Sequence, residues 1–332
     1  MLNRRNALKA AVLSGFGAST SFPLSSVAQT SGANLILLGT QGGPNDNLER
    51  GGTASLLVVD DVPYLIDCGF GAKRSLLNVG VNFLTIPAIF LTHLHDDHVA
   101  DLPGLLSHQW TQGRVDPTTV YGPYGTDTLI KAALQFAQAN TEIRLIDEKR
   151  TVLPPDVFSG QVIPATDTVY KAYEDDRVVV STIENTHFPE WAKAEMSYRA
   201  ISYRFDTADR SVVFSGDTTY SENLVTLAKG ADIFVCETIQ LGKTREWFDM
   251  ASGGGEGDLY QDAREGIWNH IIETHANTED TGRMAAEAEV ELLVLNHILP
   301  GSLLEIPDSD YIEGIRKHYQ GEVIVGRDGM VI

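Results

Sequence analysis

Short apolar runs recur along the chain and predict β-strands. Each run is bounded by polar or turn-forming residues, a pattern typical of buried strands. The predicted strands are Leu35–Leu38, Ser55–Val59, Tyr64–Ile66, Ala88–Leu91, Val178–Ile183, Ser211–Phe214, Ile233–Val235, Leu292–Leu295 and Glu322–Val325. Longer segments between several of these runs have a helical pattern. The predicted helices are Leu102–Gln112, Thr126–Ala139, Glu222–Ala228, Thr278–Ala288 and Asp308–Tyr319.

The order of these elements predicts the fold class. The early strands follow one another as a meander, whereas the later strands alternate with helices. This order favours an α/β fold in which two mixed β-sheets pack face to face and helices cover both outer faces. Polar clusters at strand ends should then collect at one edge of the sheets. Residues 239–270, with Trp247 and Trp268 in a polar background, fit least well; we interpret them as a lid or substrate-facing insertion, or else a surface loop.

The amino-terminal segment has the pattern of an export signal. The basic segment Asn3–Lys9 precedes the apolar run Ala10–Ala18, and Ser26-Val27-Ala28 resembles a signal cleavage site. The paired arginines in the basic segment favour the twin-arginine route. We therefore predict that residues 1–28 are removed on export and that residues 29–332 form one catalytic domain in the periplasm.

Charge and cysteine content narrow the expected partners. The chain has a net charge of −20, and removal of the predicted signal would take it to −23. A surface this acidic repels nucleic acid and anionic membrane, so we expect a small-molecule substrate and neither of those partners. Cys68 and Cys236 both end apolar runs and are predicted to be buried free thiols. The oligomeric state stays open, a homo-oligomer included.

Four candidate metal ligands follow the predicted strand Ala88–Leu91. His93 and His95 are two positions apart, and side chains with that spacing point the same way in extended backbone. Asp97 and His98 follow where the chain turns toward a helix. Imidazole nitrogen and carboxylate oxygen suit Zn²⁺ best, with Mn²⁺ or Fe as substitutes. The alternative is a solvated polar loop that happens to be rich in histidine.

The segment Thr92-His93-Leu94-His95-Asp96-Asp97-His98 resembles the signature of the metallo-β-lactamase superfamily. That resemblance implies an αββα fold and two metal ions. It implies that one metal is bound by His93, His95 and His187, and that a second is bound by Asp97, His98 and His297, with Asp217 bridging the two. The later three residues each follow a predicted strand, which is the chain order that the family requires.

Further segments are similar to the ribonuclease Z and arylsulfatase-like branch of this superfamily. They are the stretch from Glu273 through Arg283, Tyr121-Gly122-Pro123-Tyr124-Gly125-Thr126 and Leu38-Gly39-Thr40-Gln41-Gly42-Gly43-Pro44. The resemblance implies that His275 contacts the transferred phosphoryl or sulfuryl group and that Glu237 orients His275. His275 could otherwise be a polar residue that caps the next helix. Ribonuclease Z commonly has His where this chain has Cys236, and we find no basic, glycine-rich arm, so the sequence argues against transfer RNA as a substrate.

These features predict a binuclear zinc hydrolase that cleaves sulfate esters or phosphodiesters. Two nearby divalent ions can share a hydroxide and generate the nucleophile, and Asp97 could handle a proton while serving as a ligand. Asp67 could orient a ligand histidine or be a buried turn acid. The competing hydrolase is a β-lactamase or lactonase, which Asp217 disfavours because β-lactam enzymes generally lack that bridging aspartate. A di-iron oxygen-reducing protein and a non-catalytic binding protein are the competitors from other classes.

Overall fold

Two β-sheets form the centre of the protein in a computed structural model, which describes residues 32–45, 47–251 and 258–332. The predicted export signal, residues 1–28, lies outside the described residues and stays a prediction. Among the helices in the described ranges, none combines the length and the hydropathy that a bilayer span requires.

The first sheet contains six strands in sequential order. They are β1 (Ala33–Gly39), β2 (Ala54–Val59), β3 (Val62–Ile66), β4 (Ala88–Phe90), β5 (Thr118–Gly122) and β6 (Phe158–Val162). The pairs β1–β2 and β2–β3 are antiparallel, whereas the later pairs are parallel. The sheet is therefore mixed, with its meander at one side.

The second sheet contains seven strands, also in sequential order. They are β7 (Tyr170–Glu174), β8 (Val179–Glu184), β9 (Ile201–Asp206), β10 (Ser211–Phe214), β11 (Ile233–Ile239), β12 (Leu292–Leu299) and β13 (Glu322–Val325). The pairs up to β9–β10 are antiparallel, and those from β10–β11 onward are parallel. This sheet is mixed as well.

Helices cover the outer face of each sheet. In chain order they are α1 (Ala72–Asn78), α2 (Asp96–Val99), α3 (Leu102–Thr111), α4 (Thr126–Phe136), α5 (Gln138–Asp147), α6 (Pro154–Val157), α7 (Glu190–Glu195), α8 (Glu222–Ala228), α9 (Leu241–Ala251), α10 (Asp258–Thr274), α11 (Thr278–Glu287) and α12 (Asp308–Ile315). Helices α1, α3 and α4 share an apolar cluster with the first sheet, and α8, α11 and α12 share one with the second. The predicted αββα arrangement is confirmed.

An aromatic cluster centred on Phe90 joins the two sheets. The fully buried Phe90 ring lies 5.3 Å from the ring of Tyr121 and 5.6, 5.5 and 5.1 Å from those of Tyr173, Tyr203 and Phe205. The first partner belongs to the first sheet and the other three to the second. Phe90 is also the last residue of β4, so this packing fixes the strand from which the candidate ligand loop emerges.

The structure contains elements that the apolar pattern did not predict. The strands β5, β6, β7 and β9 were missed because polar residues interrupt them or because, as in β7, their side chains are mostly exposed. Residues 239–270 are largely helical, in α9 and α10, rather than a loop. Phe248 and Ile271 anchor these helices against Ile239 and Leu299. The predicted burial of Cys68 and Cys236 as free thiols is confirmed.

Replacing Phe90 with Ala should lower the free energy of unfolding by about 3–5 kcal/mol, because the substitution leaves a cavity between the sheets. Urea denaturation of the two proteins measures the difference. Phe136→Ala is the matched control, because Phe136 is 74% exposed and its loss should cost less than about 0.5 kcal/mol. Equal losses in the two variants would contradict the structural role of Phe90.

Candidate metal centre

The turn after β4 brings the first four candidate ligands together. His93 lies three residues after the end of β4 and is completely buried. His95 occupies the N-cap position of α2, so the chain becomes helical immediately after it. Asp97 and His98 lie in that single helical turn, directly after His93 and His95. A change from extended to helical backbone therefore presents four polar side chains to one location.

One ligand group consists of three histidines and an aspartate. His95 Nδ1 lies 3.0 Å from His93 Nε2 and 3.2 Å from His187 Nε2. Asp217 Oδ2 lies 3.7 Å from His93 Nε2. The ligand atoms of all four residues lie within 4.8 Å of one another, which is the spacing of atoms around a single metal ion.

A second ligand group shares Asp217 with the first. Asp217 Oδ1 lies 3.1 Å from His98 Nε2, and Asp217 Oδ2 lies 3.3 Å from His297 Nε2. Asp97 Oδ2 completes the group at 3.2 Å from His297 Nε2 and 3.6 Å from His98 Nε2. The structure thus brings all seven predicted ligands into two adjoining groups, with Asp217 between them.

Three strands of the second sheet deliver the three later residues, two at strand ends and His297 from within β12. His187 follows β8, and its Nδ1 donates to the Thr274 carbonyl oxygen at 2.9 Å, which leaves Nε2 free to bind a metal. Asp217 follows β10 after Gly216, whose φ of +59° and contact with Thr92 favour glycine. His297 is the extra residue of a β-bulge in β12, with a φ of +41°. The bulge turns its imidazole toward Asp217.

Asp67 fixes the orientation of one ligand. It accepts hydrogen bonds from the Thr92 amide at 2.8 Å, the Thr92 hydroxyl at 2.9 Å and His98 Nδ1 at 2.8 Å. Because His98 Nδ1 carries the hydrogen in this contact, its Nε2 presents a lone pair to the site. Asp67 therefore orients a candidate ligand, as the sequence suggested.

The electrostatics divide the histidines into two classes. Burial lowers the pKa of His93 and His187, which favours the neutral imidazole that binds metal. Burial alone would also lower the pKa of His98 and His297, but Asp217 and Asp97 raise it, to about 10 for His297. Burial alone would raise the pKa of Asp217, but the facing histidines lower it, and the net pKa is well below its usual value. A bound divalent cation would supply the positive charge that these protons otherwise carry.

Unsatisfied polar atoms test whether a metal fits these residues. His98 Nε2 and Asp217 Oδ1 are both buried and have no hydrogen-bond partner, although they face each other. Buried polar atoms without partners are costly and rare in folded proteins. Together with the nitrogen and oxygen donor set, this observation is consistent with a divalent metal such as Zn²⁺.

A carboxylate and histidine pair lies beside the second ligand group. His275 Nδ1 and Glu237 Oε2 are 2.9 Å apart, and both residues are buried. Burial alone would lower the pKa of His275, but Glu237 raises it overall. The His275 ring stacks on that of His297 with centroids 5.3 Å apart. Asp217, Glu237, His275 and His297 also meet the spacing of a ligand group, so the pair is in direct contact with the candidate centre.

The sequence analysis missed one histidine at the centre. His270, on α10, is exposed, and its ring centroid lies 5.7 Å from those of His95 and His187 and 5.4 Å from that of His275. It belongs to no recognised motif. Its spacing of five residues from His275 was the available signal, but it falls within the segment interpreted as a lid or loop.

Replacing Asp67 with Asn should weaken metal binding by about 10- to 100-fold. In either amide orientation, an N–H group replaces an acceptor and opposes the Thr92 amide or His98 Nδ1. Competition with a chromophoric zinc chelator measures the affinity. Asp61→Asn is the control, because Asp61 is exposed at the β2–β3 turn. Affinity equal to that of the wild type would show that Asp67 does not orient the centre.

Comparison with known families agrees with this geometry. A family model described as "Beta-lactamase superfamily domain" matches residues 63–298. Ribonuclease Z of Mycobacterium sp. (strain KMS) is 31% identical over 268 residues, which cover 80% of this chain and 84% of the relative. Ribonuclease Z of Picrophilus torridus is 30% identical over 223 residues, which cover 60% of this chain and 72% of the relative.

Solved structures show the same fold at lower identity. The metallo-β-lactamase fold protein YhfI from Bacillus subtilis has a TM-score of 0.62 at 19% identity, covering 91% of this chain and 99% of that protein. The short form of human tRNase Z has a TM-score of 0.59 at 21% identity, and the match covers 90% of this chain and 98% of that protein.

The relatives correct two expectations from the sequence. A small-molecule sulfate or phosphate ester as substrate, with an arylsulfatase-type activity, is wrong, as is the absence of a nucleic-acid partner, because the relatives carry the name Ribonuclease Z. The alternative of a β-lactamase or lactonase loses its support for the same reason. The error came partly from the missing basic arm and partly from net charge, which averages over the whole surface, whereas a substrate meets only the residues around the site. The chain belongs to the β-lactamase superfamily, in the branch that contains ribonuclease Z.

Proposed function

We propose that this chain is a metal-dependent hydrolase that cleaves phosphodiester bonds in RNA. The observation that carries the proposal is the placement of the Glu237–His275 pair against two ligand groups that share Asp217. The similarity to proteins named Ribonuclease Z supports RNA as the substrate class. Both the ligand groups and the family support a metal-dependent hydrolase.

The seven ligands suit two Zn²⁺ ions. His93, His95 and His187 would hold one ion, and the second would be held by Asp97, His98 and His297, with Asp217 between them. When bound, these ions would supply a water nucleophile whose pKa is lowered to around 7 and positive charge near the reacting oxygens.

The pair formed by Glu237 and His275 would handle the proton of the leaving group. Glu237 accepts the hydrogen of His275 Nδ1, so Nε2 is the ring atom that remains for the substrate. Glu237 is itself held by the Thr218 amide, which donates to its other oxygen. As water oxygen bonds to phosphorus and the P–O bond breaks, His275 Nε2 can donate a proton to the departing oxygen. Glu237 then stabilises the imidazole in the orientation that this transfer needs.

Two exposed tyrosines beside the ligand loop offer RNA a surface that does not depend on net charge. Tyr124 and Tyr198 are 55% and 47% exposed, and their rings lie 5.6 Å apart. A side chain at Gly125 would meet both the Tyr198 ring and Leu94, so Tyr198 lies beside the loop that carries His93 and His95. Unpaired bases stack on exposed aromatic rings regardless of their sequence. An acidic protein can therefore bind RNA through stacking and metal contacts near the scissile bond.

Metal removal tests the proposal directly. The purified protein should contain two zinc ions per chain and should hydrolyse a labelled oligoribonucleotide or transfer RNA transcript. A chelator should abolish cleavage, and added Zn²⁺ should restore it, because the nucleophile comes from the metal centre. Asp217→Ala should lose both metal and activity. Cleavage by metal-free protein, or no RNA cleavage by fully metallated protein, would refute the proposal.

Replacing His275 with Ala should lower kcat on RNA by about 100-fold or more, the usual range for loss of a general acid. Glu237→Gln should cause a smaller loss, because the ring stays in place while its charge partner is gone. The double variant should be no slower than His275→Ala, since the two residues act as a unit. Zinc content, measured in parallel, should stay at the wild-type value. A loss of zinc in His275→Ala would instead identify His275 as a ligand.

A further inference from the structure

His270 stands at the entrance to the metal centre and has no role in the chemistry proposed above. It is exposed, yet its ring lies within 5.7 Å, centroid to centroid, of the rings of His95, His187 and His275. Two of these are candidate ligands, and the third belongs to the proton-handling pair. A phosphodiester bound at the centre would therefore lie within reach of His270.

Hydrogen bonding determines which atom of His270 faces the substrate. The Thr274 hydroxyl donates its single hydrogen to the His270 carbonyl oxygen at 2.7 Å. The same hydroxyl oxygen lies 3.3 Å from His270 Nδ1, so in this contact Nδ1 is the donor. In the neutral imidazole the hydrogen is then on Nδ1, and Nε2 carries the lone pair. His270 thus presents a hydrogen-bond acceptor.

An acceptor at this position suits a hydroxyl group better than a phosphate. Phosphate oxygens are acceptors and would repel the Nε2 lone pair, whereas a ribose 2′-hydroxyl can donate to it. Hydrolysis by metal-bound water does not consume the 2′-hydroxyl, so the chemistry itself does not distinguish RNA from DNA. Discrimination needs a separate contact with that hydroxyl.

We propose that His270 Nε2 accepts a hydrogen bond from the ribose 2′-hydroxyl next to the scissile phosphate and so selects RNA over DNA. The inference rests on the proposed function, since it requires a nucleic-acid phosphodiester at the metal centre. It makes His270 a specificity-determining residue that contacts the sugar while the metal ligands and His275 act on the phosphate.

The test compares two substrates that differ by one atom. One is an oligoribonucleotide with a mapped cleavage site, and the other carries a single 2′-deoxyribose beside that site. Wild-type protein should prefer the ribose substrate in kcat/KM. In His270→Ala the ratio of the two kcat/KM values should fall by roughly tenfold, as expected for loss of one hydrogen bond. His270→Gln, whose amide oxygen can still accept, should retain part of the preference.

Controls separate the possible failures. His318→Ala removes an exposed histidine on another surface and should keep the wild-type ratio. Zinc content and thermal unfolding of the His270 variants should match the wild type. If His270→Ala slows both substrates equally, or leaves the ratio intact, the inference is wrong although RNA cleavage stands. If wild-type metallated protein cleaves neither substrate, the proposed function itself has failed.

Discussion

The buried carboxylate of Asp217 is the interaction on which the rest of the centre depends. Its two oxygens contact candidate ligands in both groups, at 3.1 Å from His98 Nε2 and 3.3 Å from His297 Nε2. A carboxylate that is 1% exposed is costly to bury unless positive charge faces it. The surrounding imidazoles meet this need only if they are protonated or bind cations. The electrostatic demand of one aspartate therefore links the two ligand groups into a single centre.

The fold satisfies that demand by ending strands of two sheets at one edge. His93 and His98 come from the first sheet, whereas His187, Asp217 and His297 come from the second. The apolar contact between the sheets, centred on Phe90, therefore sets the distances between ligands that lie far apart in sequence. Small departures from regular strand geometry complete the arrangement, including the bulge that turns His297 inward.

Much of this arrangement could be predicted from the sequence, and the exceptions have physical causes. The fold class followed from the order of the apolar runs, whereas the set of seven ligands that the structure brings together was implied by the resemblance to the metallo-β-lactamase superfamily. Edge strands such as β7 were not predicted, because their largely exposed side chains show no alternation of apolar and polar residues. The bulge at His297 depends on pairing between β11 and β12, which no local pattern encodes. The predicted substrate class was wrong because net charge is a property of the whole surface and the absent basic arm is only one way to bind RNA; neither describes the residues around the site.

Helix α10, in the segment between β11 and α11, contributes directly to the metal centre. The carbonyl of Thr274, at the end of this helix, receives the Nδ1 hydrogen of His187 and so directs a candidate ligand toward the metal. The Thr274 hydroxyl contacts His270, one helical turn earlier, and His275 follows directly. One helix end thus orients a ligand, presents an acceptor to the sugar and precedes the proton donor. A shift of this helix would alter metal binding, recognition and proton transfer together, so the C-terminal end of α10 is part of the site itself.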